Sequence, residues 1–203
     1  MDIYRHDDAL RERGFRVIAG IDEAGRGPIA GPVVAGAVIL PGGLRLEGLR
    51  DSKLVPEAER KTLFLHILSS AIDIGIGICD VDMIERVNIL NATRLAMGAA
   101  VRNLSLRPDL LLIDAVEVPA IPLKQFNPVK GESKSALIAA ASIVAKVARD
   151  SLMYHYHEIY PEYGFDRHKG YCTEGHMKML RLHGPSRIHR KGFQKVMSLS
   201  LPF

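Results

Sequence analysis

The stretch Gly20-Ile21-Asp22-Glu23-Ala24-Gly25-Arg26-Gly27 sets two adjacent carboxylates at the end of an apolar run and follows them with a glycine-flanked arginine. Alone, Asp22 and Glu23 read as an acidic turn after a strand. The turn adds chemistry, because Gly25 and Gly27 free the backbone to approach a ligand closely and Arg26 between them is a fork-shaped donor to anions and hydroxyls. Two more acids belong with the pair. Asp114 ends the unbroken apolar run Leu110-Leu111-Leu112-Ile113, and Glu132 sits in Lys130-Gly131-Glu132-Ser133, just before an alanine-rich stretch. Hard divalent cations take oxygen ligands, so a carboxylate cluster suits Mg²⁺ better than scattered histidines do. Two such ions, roughly 3.5–4 Å apart, hold the attacking water and the leaving oxygen of an in-line phosphoryl displacement. That is nuclease or phosphotransferase chemistry.

Other chemistries lack their residues. There is no Gly-rich loop followed by Lys-Ser, no Gly-x-Gly-x-x-Gly after a strand and no Gly-x-Ser-x-Gly elbow. His155 and His157 lie two apart, so on a helix they face different directions and read as solvated or core side chains. Cys79 and Cys172 are too far apart to suggest a metal pair or a disulfide framework, which points to a reducing compartment. The N-terminus has no apolar core of a signal peptide, and no apolar run is long enough to span a bilayer, so a cytoplasmic location is expected.

Charge is divided along the 203 residues. Residues 1–123 carry 14 Lys and Arg against 17 Asp and Glu, whereas residues 124–203 carry 13 against 6. Six of the eight histidines also fall between His155 and His189. An acidic part that gathers cations and a basic part that holds a polyanion suit a nucleic-acid enzyme, although a basic tail alone is often only solvated surface.

Elements must bring these acids together. Arg16 to Ile21 reads as a strand with Asp22 and Glu23 at its end, and Pro32 to Leu40 as a second strand in a hairpin with it. Adjacent strand residues point to opposite faces, so both acids reach one ion only if the strand frays or bulges at the glycines. Asp51 to Val55 reads as a loop, and Pro56 starts a helix to about Ser70 with Leu63, Ile67 and Leu68 on its buried side. Ile72, Ile74, Ile76 and Ile78 alternate with Asp73, Gly75, Gly77 and Cys79, the pattern of a half-buried strand. Asp82 and Glu85 form a capping pair for a helix to about Leu104. Leu110 to Ile113 suits a central buried strand, and in a sheet with parallel inner strands Asp114 would meet the Asp22 corner at the carboxyl edge. The proline-bearing segment beyond it reads as extended until Lys130. Ala136 to roughly Ile159 reads as a long helix packed closely on the sheet, with Ser142 and Lys146 on one face. Thr173 to His183 reads as a last helix, capped by Thr173 and stopped by Gly184-Pro185.

Taken in order, Gly20 to Gly27, Asp51-Ser52-Lys53, Leu112-Ile113-Asp114, Ala140 to Asp150 and His168-Lys169-Gly170-Tyr171 resemble bacterial ribonuclease HII, a type 2 ribonuclease H, over nearly the whole chain. The resemblance implies an α/β ribonuclease H-like fold, a mixed central sheet flanked by helices, with a helical C-terminal region. It implies a catalytic core over 1–160 and a basic region over 161–203 that completes the substrate groove. It further implies an endonuclease, dependent on two Mg²⁺ or Mn²⁺ ions, that hydrolyses the RNA strand of RNA/DNA hybrids and cuts 5′ of ribonucleotides embedded in duplex DNA. The ends left are 3′-hydroxyl and 5′-phosphate, and the role is ribonucleotide removal and RNA primer processing. The family's four metal-site carboxylates fall on Asp22, Glu23, Asp114 and Glu132. Glu132 stands where the family generally has Asp, which keeps the charge and adds a methylene. Gly25, Arg26 and Gly27 match the turn that reads the 2′-hydroxyl, the group that separates RNA from DNA. Tyr171 matches the tyrosine that stacks at the ribose-to-deoxyribose junction. Lys53, Ser142 and Lys146 are similar to residues near the phosphates, with Ser142 equally readable as packing and Lys146 as a snorkelling side chain. The tail Gln194 to Phe203 loosely resembles a sliding-clamp-binding segment. A monomer is expected.

Two other readings stay open on the sequence. One is a hybrid binder that kept the fold and lost the chemistry, and the other an enzyme of this fold acting on branched or purely deoxyribose DNA. Retained carboxylates at all four positions argue against the first, and Arg26 in its turn against the second.

Overall fold

The computed structural model describes residues 2–114, 116–194 and 196. Five strands form one sheet in the order β3-β2-β1-β4-β5. β1 (Ile18–Ala24) and β2 (Val33–Ile39) make the antiparallel hairpin the sequence predicts, and β3 (Asp73–Cys79) extends it antiparallel on the outer side of β2. β4 (Leu110–Ile113) lies parallel to β1, and a three-residue edge strand, β5 (Lys124–Phe126), lies parallel to β4. Parallel neighbours bring their carboxyl ends to one edge, and here β1 and β4 both deliver acids there.

Each face of this sheet is covered by a helix. α4 (Ala136–Ile159) begins where Ser135 accepts a hydrogen bond from the Ile138 N–H, and its small side chains let it lie close over β1 and β2. α2 (Glu57–Ser70) packs beside it, with Leu63 and Ile67 buried. α3 (Val81–Arg102) covers the other face. A short helix, α1 (Arg5–Glu12), precedes the sheet and inserts Asp7, whose carboxylate accepts from the Leu137 N–H at the start of α4.

Five expectations need correction. Leu68 is exposed, because α2 turns only a narrow stripe toward α4. In β3 the glycines, not the isoleucines, face the covering helix: a Cβ at Gly75 or Gly77 would collide with the Ala100 or Ala96 carbonyl of α3, so Ile74 and Ile76 turn to the α4 side and Ile78 is left exposed. The cap of α3 is Asp80, which accepts from Met83 N–H at 2.8 Å, rather than the Asp82 and Glu85 pair. Asn88, at φ 69° and ψ 167°, breaks α3 internally, and its side chain caps the second piece through Leu90 and Asn91 N–H. The segment read as a loop at Asp51 contains a 3₁₀ turn at Ser52–Leu54.

After α4 the chain forms α5 (Phe165–His168) and α6 (Glu174–His183), the latter capped by Thr173 as predicted. These enclose a separate apolar cluster containing Met153, Tyr163, Phe165, Leu180 and Ile188. Ile29 and Ala30, from the β1–β2 connection, are part of it. The C-terminal region is thereby fastened to the loop that follows the paired acids.

Candidate active site

β1 stays regular through Ala24, with Asp22 opposite Gly36 and Glu23 opposite Ala35, so the expected fray or bulge does not occur. Alternation therefore places Asp22 on the face toward α4 and Glu23 on the face toward α3. Asp22 is buried, 6% exposed, and its Oδ1 accepts from the Glu23 N–H at 2.7 Å. Asp114 follows β4, where its Oδ1 accepts from the Gly131 N–H at 2.7 Å. That bond ties β4 to the 3₁₀ turn Gly131–Ser133 that carries Glu132, itself only 8% exposed. Parallel pairing of β1 and β4 thus brings Asp114 to the Asp22 corner, and the bond from the Gly131 N–H to the Asp114 side chain brings Glu132 there.

Four acids in one place repel. Burial pushes the Asp22 carboxyl well above its usual range, and the charges of Glu23, Asp114 and Glu132 push it further. Glu23 is raised first by burial and then by Asp114, against the lowering pull of Arg26. Glu132 is raised by burial, with Asp114 and Asp51 adding to it. Among nearby cations, Lys53 extends from the 3₁₀ turn with its side chain 77% exposed and its Nζ 3.9 Å from Glu132 Oε1. Burial draws its pKa down, but the fields of Asp51, Asp22, Glu132 and Asp114 outweigh that and leave it raised.

The donor set fits a divalent cation. Among the described residues Glu23 Oε2 and Glu132 Oε2 are buried oxygens without a hydrogen-bond partner, a costly state that a cation relieves. Among the described residues no group of three or more His, Cys, Asp or Glu side chains is drawn together closely enough to hold a metal ion as it stands. Asp22, Glu23 and Asp114 each give one oxygen to a hydrogen bond within the protein and keep the other. An open, oxygen-only cluster suits an ion such as Mg²⁺, which keeps several of its waters.

Beside the acids lies the Gly25-Arg26-Gly27 turn. Gly25 has φ +102°, which favours glycine, and a Cβ there would fall on the Arg149 side chain. Arg26 is held by Glu23, Nη1 to Oε1 at 3.2 Å, and its side chain is half-exposed. Gly27 presents its bare Cα to Tyr171: a Cβ placed on it would sit 3.9 Å from Tyr171 Cε1. Tyr171 is 45% exposed, and Lys146 Nζ lies 5.8 Å from its ring centre. Lys146 also pairs with Asp150 at 2.6 Å, and Asp150 in turn meets Arg60 at 3.4 Å. Burial lowers the Lys146 pKa, an effect that Asp150 opposes. Ser142 is buried, and its Oγ accepts from the Ser52 N–H at 3.2 Å and donates to the Ala139 carbonyl. It braces the turn carrying Lys53 from beneath.

Sequence reasoning missed the supports of this turn. Arg149 and Arg190 are both fully buried. Arg190 donates to the carbonyls of Gly25, Arg26, Pro28 and Gly31, and Arg149 to those of Ala30, Pro32 and Lys169. His176 and His189 are buried as well, linked Nε2 to Nε2 at 2.9 Å. The bonding fixes their tautomers: His189 Nδ1 accepts from the Ser186 N–H, so its Nε2–H donates to His176, whose Nδ1–H donates to the Tyr171 carbonyl. One signal was available for Arg149, which lies four residues from both Ala145 and Met153 and so falls on the buried stripe of α4.

The family described as Ribonuclease HII matches residues 19–196. The Ribonuclease HII of Clostridioides difficile (strain 630) is 52% identical over 184 residues, which is 91% of this chain and 72% of that one. In the PCNA:RNase HII complex from Archaeoglobus fulgidus, a chain aligns with a TM-score of 0.75 and 24% identity over 92% of this chain and 98% of its own. Bst-RNase HIII in complex with Mn²⁺ aligns at 0.70 and 17% identity, over 94% of this chain and 71% of that one. These last two show a shared fold.

Proposed function

This chain belongs to the ribonuclease HII family, and on that premise we propose how it cuts. It is an endoribonuclease that cleaves RNA in RNA/DNA hybrids and at ribonucleotides embedded in DNA. The bond broken is on the 5′ side of the ribonucleotide, and the ends are a 3′-hydroxyl and a 5′-phosphate. The observation that carries this is the meeting of Asp22, Glu23, Asp114 and Glu132 at one sheet edge, directly beside a turn and a tyrosine suited to reading a ribose.

Divalent cations, Mg²⁺ or Mn²⁺ as a pair, would be held by those four carboxylates and would supply activation of water and neutralisation of the leaving oxygen. The chain's own residues do the rest. Arg26 and the backbone of Gly25 and Gly27 contact the 2′-hydroxyl, and the Glu23 carboxylate keeps Arg26 from swinging away. The Tyr171 ring stacks on the neighbouring sugar, which selects a deoxyribose there. Lys53 and Lys146 flank the acids and meet phosphates, and Ser142 acts by fixing the Lys53 turn.

In this reading the described residues of the basic region, 161–194 and 196, form the second wall of the groove. Its attachment through Ile29, Ala30 and Arg190 to the 2′-hydroxyl turn supports that reading. Among the described residues no helix is long and apolar enough to cross a membrane. The sliding-clamp suggestion falls on Gln194 to Phe203, most of which lies outside the described residues.

The test is a cleavage assay on three duplexes with Mg²⁺ or Mn²⁺: one embedded ribonucleotide, a continuous hybrid, and all DNA. Cuts in the first two and none in the third are expected. Tight hybrid binding with no cut in either metal would favour the binding-only reading, and an all-DNA cut the deoxyribose reading.

A further inference from the structure

Arg149 has no task in the reaction, yet it touches both recognition elements. Its guanidinium is completely buried and makes no ion pair among the described residues. Nε donates to Pro32 O at 3.0 Å and Nη2 to Ala30 O at 3.1 Å, both at the far end of the loop that begins at Gly25. Nη1 donates to Lys169 O at 3.0 Å, two residues before Tyr171. The same side chain fills the space a Cβ would need at Gly25, its Cδ only 2.6 Å from that point. Ile29 N–H to Gly170 O, 3.0 Å, closes the bridge between the two segments. The gap between Gly27 and the Tyr171 ring therefore depends on where this one planar fork holds three carbonyls. A lysine offers a single point charge and cannot serve all three in these directions.

We propose that Arg149 is a specificity-determining positioning residue, whose buried guanidinium fixes the spacing between the Gly25-Arg26-Gly27 turn and Tyr171 and so sets the preference for a ribose followed by a deoxyribose. This rests on the roles given above to that turn and that tyrosine. The junction exists only in the substrate with a single embedded ribonucleotide. A continuous hybrid offers a 2′-hydroxyl at every step and does not need the spacing.

The experiment measures kcat and KM of Arg149→Lys on both substrates. On the single-ribonucleotide duplex kcat/KM falls about tenfold, while on the continuous hybrid it stays within about threefold. A proportional loss on both substrates would overturn the proposal, because general loosening harms both alike. If Arg149→Lys does not fold, Met153→Ala serves instead. The Met153 side chain packs against Gly31 and Gly170, so its truncation opens the same gap without moving a charge. The same selective loss is expected there, and a proportional one overturns the idea. Failure of the unsubstituted protein to cut the single-ribonucleotide duplex would overturn the underlying function, and that is read before any variant is made.

Discussion

Asp114 already commits one oxygen to the Gly131 N–H, so Asp114→Asn can keep that contact through its amide oxygen while deleting the charge. Cleavage beside an embedded ribonucleotide should fall at least about a hundredfold, with little change in melting midpoint. At Glu132 the added methylene still ends in a carboxylate, so Glu132→Asp should be tolerated and Glu132→Gln should not, as rates on the same duplex would show. Asp22 yields a prediction about stability. Its folded pKa is raised, so the proton it keeps contributes stability that is complete below about 3.8 and is lost as pH rises through the folded value. Asp22→Asn should then raise the metal-free melting midpoint by a few degrees at neutral pH and leave it unchanged near pH 4, as thermal melts in chelator would test. These acids stood out in the sequence because Asp22, Glu23 and Asp114 end apolar runs and Glu132 precedes an alanine-rich one. Arg149 and Arg190 did not, since a basic residue carries no mark of being buried until carbonyls from distant segments surround it.

The elements were legible where one signal acts alone. α4 has the bounds its alanine-rich composition predicts, because small side chains, strong propensity and a Ser135 cap agree. β3 misleads because isoleucine looks like the inward residue, whereas the close approach of α3 leaves room only for glycine. Gly77→Ala should accordingly destabilise the protein by about 1–3 kcal/mol, measured by denaturant unfolding, although alanine is the more hydrophobic residue. β5 escaped notice because three partly exposed residues at a sheet edge carry no period. The Asp22 and Glu23 corner is the instructive case. An unbroken ladder gives the two acids opposite faces, and proximity comes from Asp114 and the turn at Gly131 rather than from a bulge.

Across the whole molecule, the acidic part of the chain supplies Asp22, Glu23 and Asp114, and the basic part is the proposed wall opposite them, a division suggested by the bare charge count. What the count hides is the buried histidine core joining them. Burial holds His176 and His189 neutral, with pKa values lowered to about 4 and about 3. As pH falls from about 6.5 the unfolded chain takes up protons that these imidazoles refuse, so stability should drop through that window, and His176→Phe should flatten the drop in pH-dependent melts. The central claim, that acids from three separated segments form one divalent-cation site, is tested most directly by calorimetric titration of Mn²⁺ into the unsubstituted protein and into Asp114→Asn. Saturable binding in the first, weakened at least about tenfold in the second, is the predicted result. No binding by the unsubstituted protein, or equal binding by both, would contradict it.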